Sequence, residues 1–186
     1  MSPSRTIFLI RHGEKPPESP PPHGVTLDGE QDDDHSLIPR GWQRAGALAV
    51  LFAPRIGPLR RGILQPDELI APDYGKLPKD ERTHQTIEPL EKLLRQKTVR
   101  PYPVGREEKL GELLSTKPGG VTLVCWEHKH IPDIVHAIEP STGSLPKAWP
   151  DDRFDLIWSM RRDESAVFRF EQIAQLLLAG DQPVDM

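Results

Sequence analysis

Arginine and histidine stand in this sequence at places where structural elements should end. Arg11 and His12 directly follow the apolar run at 6–10. Arg82 falls in the first turn of a predicted helix after the run at 68–71. His128 follows the run at 121–126. If these runs are strands of one α/β sheet, all four side chains share the side beyond the strands' carboxyl ends, where such sheets bind ligands. Taken singly, each has an ordinary reading: a histidine at a strand end is commonly hydrogen-bonded or at the surface, and a helical arginine is commonly solvated. Together they suit a phosphoryl group. A guanidinium fork grips two oxygens and never loses its charge, and a helix N-terminus adds donors of the same sign. A neutral imidazole nitrogen is a competent nucleophile near neutral pH. Attack by His12 would give a phosphohistidine that water resolves. Arginines that neutralise the transferring group remove the need for a metal, and no cofactor is expected.

The elements that must position these groups are legible from periodicity. Residues 6–10 and 121–126 are short, nearly continuous apolar runs, the pattern of buried strands. Residues 68–71 predict a further short strand, and residues 98–100 another. Trp42, Ala45, Leu48, Ala49 and Phe52 recur near a period of 3.6 and predict a helix over 42–52. A helix from Glu81, capped by Asp80, would bury Ile87, Leu90, Leu93 and Leu94, with Pro89 as a possible kink. Leu110, Leu113 and Leu114 mark a helix over 107–114, and Pro132 suits the first turn of one ending at Ile138. Residues 154–158 and 166–170 flank a polar turn and predict a hairpin. Strands alternating with helices imply an α/β fold, a three-layer αβα sandwich with a mostly parallel central sheet and an antiparallel edge or hairpin. A length of 186 residues suits a single domain over 1–186.

Composition excludes some classes. The net charge is -4 and basic residues form no run, which argues against a nucleic-acid surface and against an anionic-membrane patch. No apolar stretch is long enough for a signal core or a membrane span. One cysteine, Cys125, allows no internal disulfide and suits a reducing compartment; a cytoplasmic location is expected. With 21 prolines, long loops should surround the core. Those at 16–23 and 72–80 should border the pocket mouth and set specificity.

Arg11-His12-Gly13-Glu14, after an apolar strand at the start of the chain, resembles the RHG signature of the histidine phosphatase superfamily, which includes the phosphoglycerate mutases. Three further segments agree in order. Leu37-Ile-Pro-Arg-Gly41-Trp-Gln-Arg-Ala45 resembles the family's L-T-x-x-G-x-x-Q-A helix start. Arg82-Thr-His-Gln85-Thr86 is similar to its R-x-x-Q-T segment. Residues 121–128, ending Trp126-Glu127-His128, resemble its late strand and second histidine. The resemblance implies that His12 is the nucleophile, that Arg11, Arg82 and His128 bind the phosphoryl group, and that His128 stabilises its charge in flight. The family also uses a carboxylic acid to protonate the leaving oxygen. Glu107 is the first choice for that role, with Glu108, Glu14 and Glu127 as alternatives. Acids at the start of a helix equally suit its dipole. The segment before Arg82 is longer than the family's usual turn, and Lys129-His130 follow His128 where small residues are more usual.

The expected reaction is hydrolysis of a small phosphorylated substrate. Transfer between hydroxyls, as in a mutase, and binding without turnover are the alternatives. Asp32-Asp33-Asp34-His35 reads as a solvated turn rather than a metal site, and His128-Lys129-His130 lacks the spaced partners of a zinc site. Trp149, Phe154, Trp158 and residues 176–178 read as core or as a contact face. Exposure of part of that set would mark a homodimer.

Overall fold

The run at 6–10 is buried in full because it forms the middle of a sheet. Strand β1 (Arg5–Arg11) has neighbours on both sides and every one of its residues is buried. A computed structural model describes residues 4–75, 81–163 and 166–184. Within them the chain runs β1, α1 (Pro39–Phe52), β2 (Glu68–Ile70), α2 (Arg82–Leu94), α3 (Glu107–Thr116), β3 (Gly120–Trp126), α4 (Ile131–His136), β4 (Ser141–Thr142), β5 (Leu156–Arg162) and β6 (Phe168–Ala174). The sheet order is β2-β3-β1-β5-β6-β4. β1 pairs parallel with β3, and β3 with β2, while β5 runs antiparallel to both β1 and β6.

Alternation along the strands builds the three layers. Ile7 and Leu9 of β1, with Val124 and Trp126 of β3, face Leu110 and Leu114 of α3 and Ile131, Ile134 and Val135 of α4. Phe8 and Ile10, with Leu123 and Cys125, face Leu48 and Phe52 of α1 and Ile87 and Leu90 of α2. The predicted αβα sandwich is therefore present. The predicted hairpin is present as the antiparallel pair β5 and β6; it does not close the sheet at an edge, since β5 lies against β1, and β6 and β4 extend the sheet beyond it.

Several boundaries shift. Helix α1 starts at Pro39, where the missing N–H costs nothing. Residues 98–100 form no strand. Val99 makes an isolated parallel bridge to Ile70, donating to Leu69 O and accepting from Ala71 N, so the pairing with β2 is limited to one residue. β4 is a two-residue strand, too short for any periodicity to register. The Asp80 cap lies outside the described residues. The helix continues through Pro89 to Leu94.

Two glycines set the spacing between β1 and α1. A Cβ on Gly13 would lie 3.0 Å from Gly41 O, and one on Gly41 would lie 2.4 Å from Glu14 O. The loop after β1 and the start of α1 can touch backbone to backbone only without side chains there. Glycine in a helix ordinarily gains stability on change to alanine. Gly41→Ala should instead lose about 1–3 kcal/mol through overpacking, read from urea unfolding. A gain would show that the two backbones do not meet so closely.

Candidate active site

The register of β1 on β3 brings the first pair of functional groups together. Arg11 stands opposite Trp126, so the residues that leave both strands emerge from one edge of the sheet. The rings of His12 and His128 meet edge to face, with centroids 6.1 Å apart.

His12 is buried, and its Nδ1 lies 2.7 Å from the carbonyl oxygen of Gly13. A carbonyl can only accept, so Nδ1 carries the proton and the Nε2 lone pair is left for chemistry. Burial pushes the imidazole pKa down to about 3, helped by the charge of Arg11 and, more weakly, of Arg82 and His128; the Gly13 bond opposes this. His12 is thus neutral at any ordinary pH and sits within the fields of all three partner groups. The burial of His128, with the nearby charge of Arg11, lowers its pKa to about 4 against the opposing pull of Asp151.

Arg11 packs its guanidinium 3.8 Å from the ring centre of Phe154 and donates from Nη1 to the carbonyl of Asp151 at 2.6 Å. Its burial lowers its pKa to about 10, so it stays charged. Arg82 opens α2. It donates from Nη2 to the carbonyls of Asp33 (2.9 Å) and Asp34 (2.6 Å), and from Nε to that of Ser36 (3.2 Å). One turn later, Gln85 accepts from Leu37 N and donates to Ser36 Oγ. Thr86 accepts from Gly13 N at 2.8 Å and donates to Arg82 O at 2.6 Å. These three residues share one helix face at i, i+3 and i+4. Gln85 and Thr86 hold the loops that carry the site.

The acidic turn is scaffolding. Asp33 accepts from Gly24 N and is bonded to His23, and Asp32 accepts from Ser36 Oγ and His35 N. The loop at 16–23 thereby reaches the Arg82 side through His23. The loop at 72–80 is described as far as residue 75, where Tyr74 donates to Glu127 at 3.3 Å.

Of the expected acids, Glu107 and Glu14 make bonds to other groups. Glu107 is buried and accepts from Trp126 Nε1 at 2.9 Å and from Gly105 N at 3.0 Å. Glu108, its neighbour, is exposed. Glu14 accepts from Arg40 and Arg44. Two residues that no motif marks do reach the site. Asp151 places Oδ1 3.2 Å from His128 Nε2, and Phe154 stands 6.0 Å from the His12 ring. Both lie on a loop about 140 residues from Arg11, so no local spacing could connect them.

No family model matches the sequence, and no curated protein matches it. Solved structures do. The chain superposes on the protein histidine phosphatase SixA complexed with tungstate at a TM-score of 0.55 and 18% identity, over 91% of this chain and 97% of that one. The chain has the histidine phosphatase fold. A candidate phosphohistidine phosphatase SixA from Agrobacterium tumefaciens (TM-score 0.47, 18% identity, 91% and 97% covered) and a mycobacterial hydrolase (0.48, 12%, 91% and 96%) are less similar. Among the described residues, no helix of this histidine phosphatase fold is long and apolar enough to cross a membrane.

Both histidines have folded pKa values below the ordinary 6.5. The unfolded chain therefore takes up protons that the fold refuses, and stability present above pH 6.5 is lost as pH falls toward about 4. The urea midpoint should decline over that window, and less steeply in His12→Asn. An equal decline in both would mean that His12 is charged within the fold.

Proposed function

We propose that the chain is a metal-independent phosphatase in which His12 Nε2 attacks the phosphorus of a small phosphorylated metabolite or a phosphorylated side chain. The observation that carries this reading is the state of His12. A buried imidazole, protonated on Nδ1 by its bond to Gly13 O, lies in the fields of Arg11 and Arg82 and beside the ring of His128. That is a nucleophile in the centre of a cationic pocket. The likeness to a SixA phosphatase complexed with tungstate, a tetrahedral oxyanion, supports the same reading.

In the first step the Nε2–P bond forms, the bond from phosphorus to the leaving oxygen breaks, and that oxygen takes a proton. Arg11 and Arg82 balance the charge on the equatorial oxygens. The Gly13 carbonyl stabilises the positive charge that spreads to Nδ1. In the second step water attacks the phosphohistidine, gives up a proton, and releases inorganic phosphate and neutral His12.

Wild-type protein should hydrolyse p-nitrophenyl phosphate in the presence of a chelator and be inhibited by vanadate. His12→Ala should lose at least about a thousandfold in kcat, and Arg82→Ala about a hundredfold or more in kcat/KM. Undiminished turnover in His12→Ala would exclude it as the nucleophile.

A further inference from the structure

We infer that Asp151 is the acid that protonates the leaving group, an assignment that rests on the phosphohistidine mechanism proposed above. The loop bearing it is built onto the site at several points. The Asp151 carbonyl accepts from Arg11 Nη1 at 2.6 Å, its carboxylate Oδ1 lies 3.2 Å from His128 Nε2, and three residues on, the ring of Phe154 covers the Arg11 guanidinium. The loop is also fixed from below. Trp149 is buried against Trp158 with ring centroids 4.8 Å apart and donates from Nε1 to Arg153 O at 2.8 Å. Arg153 is paired with Asp155 at 2.6 Å, and Asp155 accepts from Gln182 N at 2.7 Å. Asp151 therefore has a defined position although its carboxylate faces solvent.

That position matches the direction of the reaction. In-line attack by a buried nucleophile puts the leaving atom on the far side of phosphorus. From His12 that direction is outward, because exposure rises along the line of contacts. His12 is 4% exposed, the His128 side chain 14%, and the Asp151 side chain 86%. The leaving group emerges beside His128, where the Asp151 carboxyl stands. Glu107 is bonded to an indole and a main-chain amide, and Glu14 is bonded to two arginines.

The protons balance over the two steps. As the Nε2–P bond forms and the P–O bond breaks, the Asp151 carboxyl gives its proton to the departing alkoxide, which leaves as the alcohol. The resulting carboxylate then takes a proton from the water that attacks the phosphohistidine. Phosphate is released and the acid is restored.

A proton donor matters in proportion to how poor the leaving group is. A residue that merely shapes the site affects all substrates alike. The test compares kcat/KM for p-nitrophenyl phosphate and for a simple alkyl phosphate in wild type, Asp151→Asn and Glu107→Gln, with melting temperatures as a check on folding. Asparagine keeps the shape and a polar contact to His128 but has no proton to give. Asp151→Asn should lose about a hundredfold or more on the alkyl ester and stay within about threefold on the aryl ester. Equal losses on both esters would overturn the assignment. A leaving-group-dependent loss in Glu107→Gln but not in Asp151→Asn would return the role to Glu107. Wild type inactive on both esters would remove the phosphatase reading itself, and this assignment with it.

Discussion

Burial of an imidazole beside guanidinium groups penalises its cation twice, once through lost solvation and once through repulsion. His12 is held in that position, and much of the surrounding architecture follows from holding it there. A neutral ring has two tautomers, and the Gly13 carbonyl selects the one with its lone pair on Nε2. That carbonyl is useful only if the loop after β1 is fixed. Its fixation comes from Thr86, which receives the Gly13 N–H, and from the side-chain-free contact with Gly41. A phosphoryl dianion reverses the electrostatic balance, since it attracts the cations that depress His12. The same field that keeps His12 Nε2 unprotonated would therefore draw in such a dianion.

The helix that presents Arg82 shows why a motif is longer than its chemistry. Arg82, Gln85 and Thr86 lie on one buried face. Gln85 bonds both Leu37 N and Ser36 Oγ, and Thr86 bonds Gly13 N. The helix thus pins two loops while its first residue carries the charge. Changing Gln85 or Thr86 would move the donors of the pocket rather than remove one.

Residues 6–10 and 121–126 were readable because both faces of a central strand are covered, which leaves an unbroken apolar run. The helices are readable from Ala45 and from the leucines at positions 48, 90, 110 and 114, which the fold buries. The carboxyl-end rule then puts Arg11, His12, Arg82 and His128 on one side of the sheet. What periodicity could not carry is pairing between distant segments. Nothing in the residues of β5 and β6 marks an edge or an interior place in the sheet, so the position of β5 beside β1 is invisible in the sequence. Val99 makes a single bridge, which has no period at all. Asp151 and Phe154 belong to an irregular loop whose relation to Arg11 exists only in three dimensions.

The same limit explains the fate of Glu14, the acid nearest His12 in the chain. Sequence proximity suggested chemistry, but the fold uses its carboxylate to neutralise Arg44, which is also bonded to Asp181 and Gln175. Burial opposes the charge on Arg44, yet the bonds from Asp181 and Glu14 outweigh it and raise its pKa above the ordinary value. The pairing with Arg44, with the amides of Leu177 and Leu178, outweighs burial at Asp181 and lowers its pKa to about 2. Such a cluster adds little net stability over an apolar core, but removing one member strands the others. It ties the loop after β1 to the residues that follow β6, over a separation of more than 130 positions. Protonating a carboxylate committed in this way would strand a buried cation. A group that must give and take protons at each turnover cannot be tied into such a cluster, and the solvent-facing carboxylate of Asp151, beside His128, lies outside it.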